Sequence, residues 1–355
     1  MSVVVLPRRL RVTRVSDVEV EAVEYLWNGR LARRHVTLIA GVPGGGKSQI
    51  SCDVAARITT GAAWPDGGRA PSGSVIMLSA EDTVKDVIRP RLEAAGADLD
   101  RVHVIEAAKE PDGRERTFDL QQDIESLKRL VADIGDVALV VIDPITSYMG
   151  KRIDSHRTTD VRSVLEPLAR FADEVGVAVL AITHPPKAAQ GSAINSFTGS
   201  LAFVAASRMA FIATEEPETE RRLLLPVKNN LGPKAPGLAY RFEQRIVSKG
   251  IVGSHIAWDI APVTVTADEA LRQANSNRGK IADAKEFLRD HLSAGPVAAD
   301  IITEAAERED ISDWMLRKAC KKLRVVKAKN GYQGAWMWKL PDNDKAAQAA
   351  TAPSK

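Results

Sequence analysis

A glycine-rich stretch of eight residues constrains this chain more than any other feature. Residues 41–48 read Gly-Val-Pro-Gly-Gly-Gly-Lys-Ser and fit the pattern G-x-x-x-x-G-K-[ST] at every position. The run before them, residues 36–40, is β-rich, and the pattern after them is helical, with Ile50, Val54 and Ile58 on one face. A glycine loop between a strand and a helix turns backbone N–H groups toward phosphates. The stretch therefore predicts a P-loop that binds Mg-ATP, not merely a flexible turn.

The residues of this loop have distinct predicted roles. Lys47 is expected to reach the β- and γ-phosphates, and Ser48 is expected to ligate Mg²⁺. The other residues predicted to bind the nucleotide are Gly41, Pro43, Gly44, Gly45, Gly46 and Gln49. ATP and Mg²⁺ are thus the predicted cofactors of the chain.

Asp143 is the second predicted ligand of Mg²⁺. It closes the apolar run of residues 139–143, and a carboxylate at the end of a buried strand can hold Mg²⁺ through water. Many buried strands end in aspartate, so the prediction depends on the P-loop earlier in the chain. Pro144 follows where a glutamate would stand in the AAA+ arrangement, so the general base is expected elsewhere.

Two further polar residues follow predicted strands. Glu81 comes after residues 75–80 and is the predicted general base, with the capping of a helix as the alternative role. His184 comes after residues 177–182 and is predicted to hydrogen-bond the γ-phosphate and to sense its loss, although a structural role is also open. The carboxyl ends of parallel strands share one edge of a sheet, so both residues should lie near the P-loop.

Aliphatic strands and helices alternate through the first two hundred residues. The strand patterns cover residues 36–40, 75–80, 102–106, 138–142 and 177–182, and the helical patterns cover 84–95, 119–134 and 158–175. Buried strands separated by helices indicate a parallel sheet covered on both faces. Three consecutive strand patterns at 209–213, 223–227 and 240–247 predict an antiparallel extension. The predicted fold class is α/β, with a central, mostly parallel sheet.

The chain is predicted to contain two folded units. Residues 1–35 are a basic lead-in, 36–263 the ATPase domain, 264–279 a polar linker, 280–341 a small second unit, and 342–355 a disordered tail. The second unit combines three short helical patterns with a hairpin turn at Asn330-Gly331. This order is typical of a winged-helix-like domain.

Basic residues are concentrated in the second unit. Residues 317–329 contain no acid and carry Arg317, Lys318, Lys321, Lys322, Arg324, Lys327 and Lys329. They cover the third helix and the first strand of the predicted wing, which predicts contact with DNA phosphates. The alternative is a solvated helix face in a module that binds protein. Trp336 and Trp338 are predicted to lie in the core of this unit.

Composition and cysteine content bear on membrane insertion and on the cellular compartment. Its 355 residues are 45% hydrophobic, but the longest aliphatic runs are strand-sized, whereas a membrane span needs roughly 20 apolar residues. Cys52 and Cys320 are its two cysteines and lie far apart, which favours a reducing compartment. No signal peptide is predicted, so a cytoplasmic location is expected. The net charge of +3 does not by itself indicate a nucleic-acid partner.

Taken as a set, these motifs resemble the RecA-like superfamily. The shared features are the P-loop, a glutamate after the next strand, an apolar strand that ends in Asp-Pro, and the sequence Thr-His-x-x-Lys. Within this superfamily, the chain resembles the hexameric replicative helicase RepA of plasmids and its phage and mobile-element relatives. Leu26-Trp-Asn-Gly-Arg-Leu31 is similar to the segment that precedes their first strand, and Gly199-Ser-Leu and Ser207-Arg208 also have counterparts.

The resemblance implies active sites between subunits, each completed by an arginine from the neighbour. Arg208 matches that position, although a surface arginine on a strand is the alternative. The stretch from Lys228 to Pro233 is similar to the Lys-x-Arg-Asn-Gly-Pro segment of bacterial replicative helicases, which makes Lys228 a further candidate to bind the nucleotide. Asn230 stands where those helicases have arginine. This departure weakens the expected coupling of hydrolysis or shifts the task to Arg208 and Lys228.

The resemblance also implies two loops that grip single-stranded DNA in the channel of a ring. The matching stretches are residues 150–159, with Lys151, Arg152 and Arg157, and residues 187–200, with Lys187. Both are polar and poor in acids, as loops that follow phosphates should be. Ordinary mobile loops beside an active site are the alternative.

The predicted function is that of a ring-forming, ATP-driven motor on single-stranded DNA. It would be a homohexameric replicative helicase of a phage, plasmid or mobile element, with replication proteins as further possible partners. One alternative is a recombinase-like ATPase that forms filaments, for which residues 2–5 could supply a strand that bridges subunits. Another alternative is a DNA-binding regulator switched by ATP.

Overall fold

A nine-stranded sheet forms the centre of the chain. The computed structural model describes residues 12–42, 44–150, 153–155, 157–184, 193, 202–217, 219–329 and 334–341. In their order across the sheet, the strands are β13 (Val252–Trp258), β12 (Leu238–Ile246), β11 (Arg222–Asn229), β10 (Met209–Glu215), β3 (Val36–Gly41), β9 (Ala178–Thr183), β8 (Val137–Asp143), β4 (Ser74–Ser79) and β5 (Val102–Ile105).

The sheet is parallel in its larger part. Six strands, β10-β3-β9-β8-β4-β5, run parallel to their neighbours, and β11, β12 and β13 extend the sheet antiparallel beyond β10. The predicted α/β fold class is confirmed, and the arrangement is that of a RecA-like P-loop NTPase. The prediction missed β13, which pairs with β12 along its whole length.

Helices cover both faces of the sheet, as its continuous apolar strands require. Among the described residues of this domain, the α-helices are α1 (Lys47–Thr60), α2 (Arg89–Ala95), α3 (Ile124–Ile134), α4 (Thr158–Val175) and α5 (Ala202–Ala206). One apolar core packs α1 and α2 against the sheet, and a second core packs α3, α4 and α5 on the opposite face. Every residue of β3, β8 and β9 is buried, so these central strands lie between the two cores.

Part of the predicted lead-in belongs to the ATPase core. A short ribbon, β1 (Tyr25–Trp27) and β2 (Leu31–Ala32), packs on the α1 face of the sheet. The ring of Trp27 stacks on Trp64 at 4.5 Å and meets the edge of Trp258 at 5.8 Å. A second ribbon, β6 (Ala108–Lys109) and β7 (Glu115–Arg116), lies beyond β5 in the chain.

The prediction that residues 264–279 form a linker is wrong. Residues 264–279 do not separate the units, because residues 267–279 form the first half of one continuous helix, α6 (Ala267–Leu292). Thr266 caps this helix: its side chain accepts from the Glu269 backbone, and the Glu269 carboxylate accepts from the Thr266 backbone at 2.9 Å. Ala267 and Ala270 pack on the antiparallel strands of the sheet.

The second unit contains three helices and a three-stranded antiparallel sheet. Its parts are the second half of α6, α7 (Ala299–Arg308), α8 (Asp313–Leu323), and the strands β14 (Val297–Ala298), β15 (Val326–Lys329) and β16 (Trp336–Lys339), in the order β14-β16-β15. Trp338 is buried, as predicted. Trp336 was predicted in the core, but it is 52% exposed because it alternates with Trp338 on β16 and faces away from the helices.

No helix among the described residues is both long enough and apolar enough to cross a membrane.

The continuity of α6 can be tested with proline. Ser276 is exposed in the middle of this helix. Ser276→Pro should lower the free energy of unfolding by about 3 kcal/mol, because proline removes a backbone hydrogen bond and clashes with the preceding turn. Ser276→Ala should leave stability unchanged or slightly higher. Denaturant unfolding of both variants gives the comparison, and equal stability would mean that residues 267–279 are a linker after all.

Candidate nucleotide site

The P-loop lies between β3 and α1, at the carboxyl edge of the parallel strands. Gly46 is the N-cap of α1 and has a positive φ of 89°, a conformation that glycine adopts without strain. A side chain at Gly41 would overlap the Ala213 carbonyl oxygen on β10. The loop can follow this path only because glycine stands at both positions.

Strand β12 packs beside this loop, a contact that the sequence did not predict. The Tyr240 hydroxyl donates to the Gly45 carbonyl at 2.5 Å, and burial raises the pKa of this phenol, so it stays a donor. The Phe242 ring lies where a Cβ at Gly46 would point, 2.6 Å from that position. The Arg222 guanidinium stacks 3.9 Å above the Phe242 ring centroid. The period-2 spacing of Tyr240 and Phe242 placed them on one face, but nothing local indicated what that face covers.

Lys47 and Asp143 are buried together beneath the loop. The Lys47 ammonium donates to the carbonyls of Gly41 at 2.7 Å and Val42 at 3.1 Å. Burial lowers the pKa of Lys47, and the carboxylates of Asp143 and Glu81 oppose this. Burial raises the pKa of Asp143, and a hydrogen bond from Ser48 and the charge of Lys47 oppose this. The predicted phosphate and Mg²⁺ ligands are therefore adjacent, as the motif requires.

Glu81 and His184 stand on either side of Asp143. Strands β4 and β9 flank β8, so the residues that follow these strands lie beside the end of β8. The Ala80 N–H donates to the Asp143 carbonyl at 3.0 Å, which fixes the start of the Glu81 segment. The His184 Nε2 lies 3.3 Å from the Glu81 Oε1. The structure thus brings the predicted base and the predicted sensor into direct contact at the carboxyl edge.

Asp82 has a different environment from Glu81. Its carboxylate accepts from the Arg91 guanidinium at 2.6 Å, which ties it to α2. Glu81 is 60% exposed and points to the edge where Lys47 and Asp143 lie. Of the two neighbouring acids, Glu81 is therefore the one placed to orient a water molecule beside a bound nucleotide.

These residues fit Mg-ATP. Gly44 has a positive φ and faces open space, so the loop can admit phosphate oxygens next to its backbone. Ser48 and Asp143 supply the hydroxyl and carboxylate oxygens that Mg²⁺ prefers. Mg²⁺ would neutralise charge on the phosphate oxygens that it binds. Lys47 would hold the phosphates, and Glu81 would accept the hydrogen bond of the attacking water.

Other predicted nucleotide contacts lie elsewhere. The Gln49 amide donates to the Ser254 hydroxyl on β13, so its side chain ties α1 to that strand. The Lys228 ammonium donates to the carbonyls of Val204 at 2.7 Å and Ser207 at 2.8 Å, at the end of α5. Neither side chain is directed to the P-loop of its own chain.

Arg208 lies at the edge of the sheet opposite to the P-loop. Its N–H donates to the carbonyl of Val36, the first residue of β3, whereas the P-loop follows the last residue of β3. Five residues of strand separate these ends, which corresponds to about 16 Å. Arg208 is exposed, and its charge contributes to a lowered pKa of Lys228, after burial as the larger cause. Arg208 therefore cannot serve the P-loop of its own chain.

The predicted DNA contacts are only partly described. Pro43 of the P-loop, Lys151, Arg152, Lys187 and residues 2–5 lie outside the described residues. Arg157 is exposed and is the N-cap residue of α4, in the connection that follows β8.

Four of the predicted basic residues, Arg317, Lys318, Lys321 and Lys322, lie on one side of α8. The opposite side packs into the core through Met315, Leu316, Ala319 and Leu323. Arg317, Lys321 and Lys322 are exposed, and the Lys318 ammonium lies 5.3 Å from the Trp314 ring centroid. On β15, the Lys327 ammonium lies 4.0 Å from the Trp338 ring centroid. The structure thus leaves the basic face of α8 open to solvent.

The fold and this geometry define a P-loop nucleotide-binding domain of the ATPase type. A family model described as AAA domain matches residues 6–190, more than half of the chain, and the chain belongs to this family. No curated protein matches the chain. The candidate base is nevertheless not beside Asp143 in sequence, because Pro144 follows it and Glu81 reaches the edge from the neighbouring strand.

Glu81 and Asp82 offer a matched pair of variants. Glu81→Gln should lower the rate of ATP hydrolysis by about 10²-fold or more, because general-base catalysis is lost, while the dissociation constant for Mg-ATP stays close to the wild-type value. Asp82→Asn should retain hydrolysis, since Asp82 is bound to Arg91. Steady-state hydrolysis and equilibrium binding of a fluorescent ATP analogue separate the two effects. Equal loss of hydrolysis in both variants would contradict the assignment of Glu81.

Proposed function

We propose that this chain is an ATP-hydrolysing motor that assembles head to tail and acts on single-stranded DNA. The observation that carries the proposal is the position of Arg208 at the amino edge of the sheet, about 16 Å of strand from its own P-loop. An arginine on the opposite side of a subunit can complete only the site of a neighbour. A contact between unlike faces generates a ring when its rotation closes and a filament when it does not.

Asn230 stands where bacterial replicative helicases have arginine, and its position in the structure supports Arg208 as the trans-acting residue. The Asn230 N–H donates to the Arg208 carbonyl at 2.9 Å, so the two residues are neighbours on adjacent strands. Arg208 would thus take over the task of the arginine that is absent at position 230. Lys228 is close enough for Arg208 to lower its pKa, and it places a second cation on the same edge. This edge would bring positive charge to the γ-phosphate bound by the adjacent subunit.

Single-stranded DNA is the proposed partner on two grounds. Arg157 lies in the connection after Asp143, where a change at the nucleotide can reach a DNA-binding loop. The exposed basic face of α8 gives a second surface for phosphates. A hexameric replicative helicase of a phage, plasmid or mobile element unites these features, and His184 would relay loss of the γ-phosphate to the loops. A winged-helix role for the second unit belongs to the same proposal.

An ATP-switched regulator is the second candidate function. The open basic face of α8 favours it, because a helix of this kind can also lie in the major groove of duplex DNA. The two functions differ in the nucleic acid that should accelerate hydrolysis. Electron microscopy with an ATP analogue and DNA separates a ring from the recombinase-like filament.

The motor function predicts that single-stranded DNA stimulates ATP hydrolysis. Lys47→Ala should abolish both the basal and the stimulated rate, with a loss of about 10²-fold or more, because the phosphates lose their charged partner. Stimulation should fall steeply with salt, as phosphate contacts do. Steady-state hydrolysis with and without single-stranded DNA provides the measurement. A rate of ATP hydrolysis that single-stranded DNA leaves unchanged, together with tight binding of duplex DNA, would exclude the motor and favour the regulator.

Mixing two inactive variants tests whether Arg208 acts on a neighbouring subunit. Lys47→Ala keeps the arginine but loses the P-loop, and Arg208→Ala keeps the P-loop but loses the arginine. Co-assembly should restore hydrolysis, since about a quarter of random head-to-tail contacts then join an intact P-loop to an intact arginine. Lys47→Ala mixed with Glu81→Gln should stay inactive, because both defects lie on the same side of the contact. Equal inactivity of both mixtures would rule out action in trans.

A further inference from the structure

A run of exposed valines precedes the folded part of the ATPase domain. Every residue from 12 to 24 is exposed, and this stretch is the N-terminal arm. The arm contains Val12, Val15, Val18, Val20 and Val23, which are between 41% and 101% exposed. Apolar side chains gathered on one exposed segment mark a contact surface.

The arm has the pattern of a strand with an acidic side. Residues 18–22 read Val-Glu-Val-Glu-Ala and lie outside the helices. When they pair as a strand, Val18 and Val20 would share one side and Glu19 and Glu21 the other. The whole arm carries four acids and one arginine. A surface that accepts it should therefore combine apolar and basic side chains.

The arm leaves the domain at the amino edge of the sheet. The carbonyl of Glu24, its last residue, accepts from the Arg33 N–H at 2.9 Å. The next residue, Arg34, donates to the carbonyl of Val177, immediately before β9 begins. The arm therefore starts on the same edge as Arg208, the edge that faces the neighbour in the proposed assembly.

A surface with the complementary character lies at the carboxyl edge. Tyr240 of β12 lies level with the end of β10, and β12 continues beyond that point. The chain then turns into β13, and residues 245–252 at this turn are the hairpin tip. At the tip Ile246 is 74% exposed, Ile251 45% and Val252 58%. Arg245 and Lys249 are exposed there too, and the tip contains no acid.

The tip is also held in place for binding. The Ser248 N–H donates to the Glu93 carboxylate at 3.0 Å, which fixes the turn on α2. The pKa of Glu93 is lowered to about 2 by its hydrogen bonds with Arg89 and Ser248, so this acceptor stays ionised. A fixed binding surface loses less conformational entropy when its partner docks.

We infer that the N-terminal arm of one subunit docks on the hairpin tip of the next copy of this chain. The inference rests on the proposed head-to-tail assembly, which brings the amino edge of one subunit to the carboxyl edge of the next. Val18 and Val20 cover Ile246, Ile251 and Val252 of that copy. The acids of the arm face Arg245 and Lys249. The docked arm thereby joins the subunits next to the site that Arg208 completes.

Cysteine cross-linking tests this contact in the full-length chain. Val20→Cys and Ile251→Cys are prepared separately, with an affinity tag on one variant, then mixed with an ATP analogue and oxidised mildly. The natural Cys52 and Cys320 are buried, and burial raises the pKa of Cys52 to about 12, so they remain poor competitors. The expected product is a disulfide-linked heterodimer. As a matched control, Val20→Cys is mixed with Ile260→Cys, whose parent side chain is 91% exposed outside the tip.

Charge reversal supplies a second and independent readout. Glu19→Lys with Glu21→Lys should weaken assembly about tenfold, and Arg245→Glu with Lys249→Glu in the same chain should restore it, because opposite charges meet again. Sedimentation velocity measures the assembly. Neither pair of residues touches the nucleotide site, so hydrolysis should stay at the wild-type level at protein concentrations high enough to restore full assembly.

The outcomes separate this inference from the proposed function. A heterodimer with Ile251→Cys well above the Ile260→Cys control, together with rescue by charge reversal, supports the docking. A wild-type chain that assembles and responds to single-stranded DNA, but gives no such cross-link, overturns the docking alone. A chain that stays monomeric with nucleotide and DNA overturns the docking and the head-to-tail motor together.

Discussion

The in-register parallel pairing of β3, β9, β8 and β4 is the constraint on which the nucleotide site depends. It ends these strands at one level, so Lys47, Asp143, Glu81 and His184 meet although they are far apart in the sequence. The same pairing places the amino ends of the strands at the opposite edge, together with Arg208. One geometric rule of parallel sheets thus creates two chemically different faces, one that carries the P-loop and one that presents cations.

Burial gives the phosphate face its electrostatic character. Lys47 and Asp143 are 5% and 7% exposed, and desolvation shifts both pKa values toward the neutral forms. Their mutual attraction opposes these shifts, so each group depends on the other for its charge. A buried pair of this kind is weak evidence for stability. A bound triphosphate and Mg²⁺ would favour the ionised form of both groups and would thereby stabilise the pair.

The parts of the site that local patterns encode were predictable, and the parts that distant packing creates were not. A complete P-loop motif and the shared edge of parallel strands were enough to place Lys47, Asp143, Glu81 and His184. The packing of Tyr240 and Phe242 on the P-loop depends on where the antiparallel extension folds, which no local pattern specifies. The prediction for Trp336 was wrong because strand alternation, and not aromatic character, decides which side chains of β16 face the core. For α6, the Thr266-x-x-Glu269 capping box indicates the start of a helix, whereas the polar composition after it is compatible with both an exposed helix and a linker.

The continuous helix α6 changes the mechanical relation between the two units. Its first turns pack on the antiparallel strands of the ATPase sheet, and its last turns belong to the core of the second unit. A helix of 26 residues is about 39 Å long. It would therefore act as a lever arm: a tilt of a few degrees where Ala267 and Ala270 contact the sheet would displace its far end by several ångströms. Movements of the sheet during the nucleotide cycle would thus swing the basic face of α8 instead of leaving it to drift on a flexible tether.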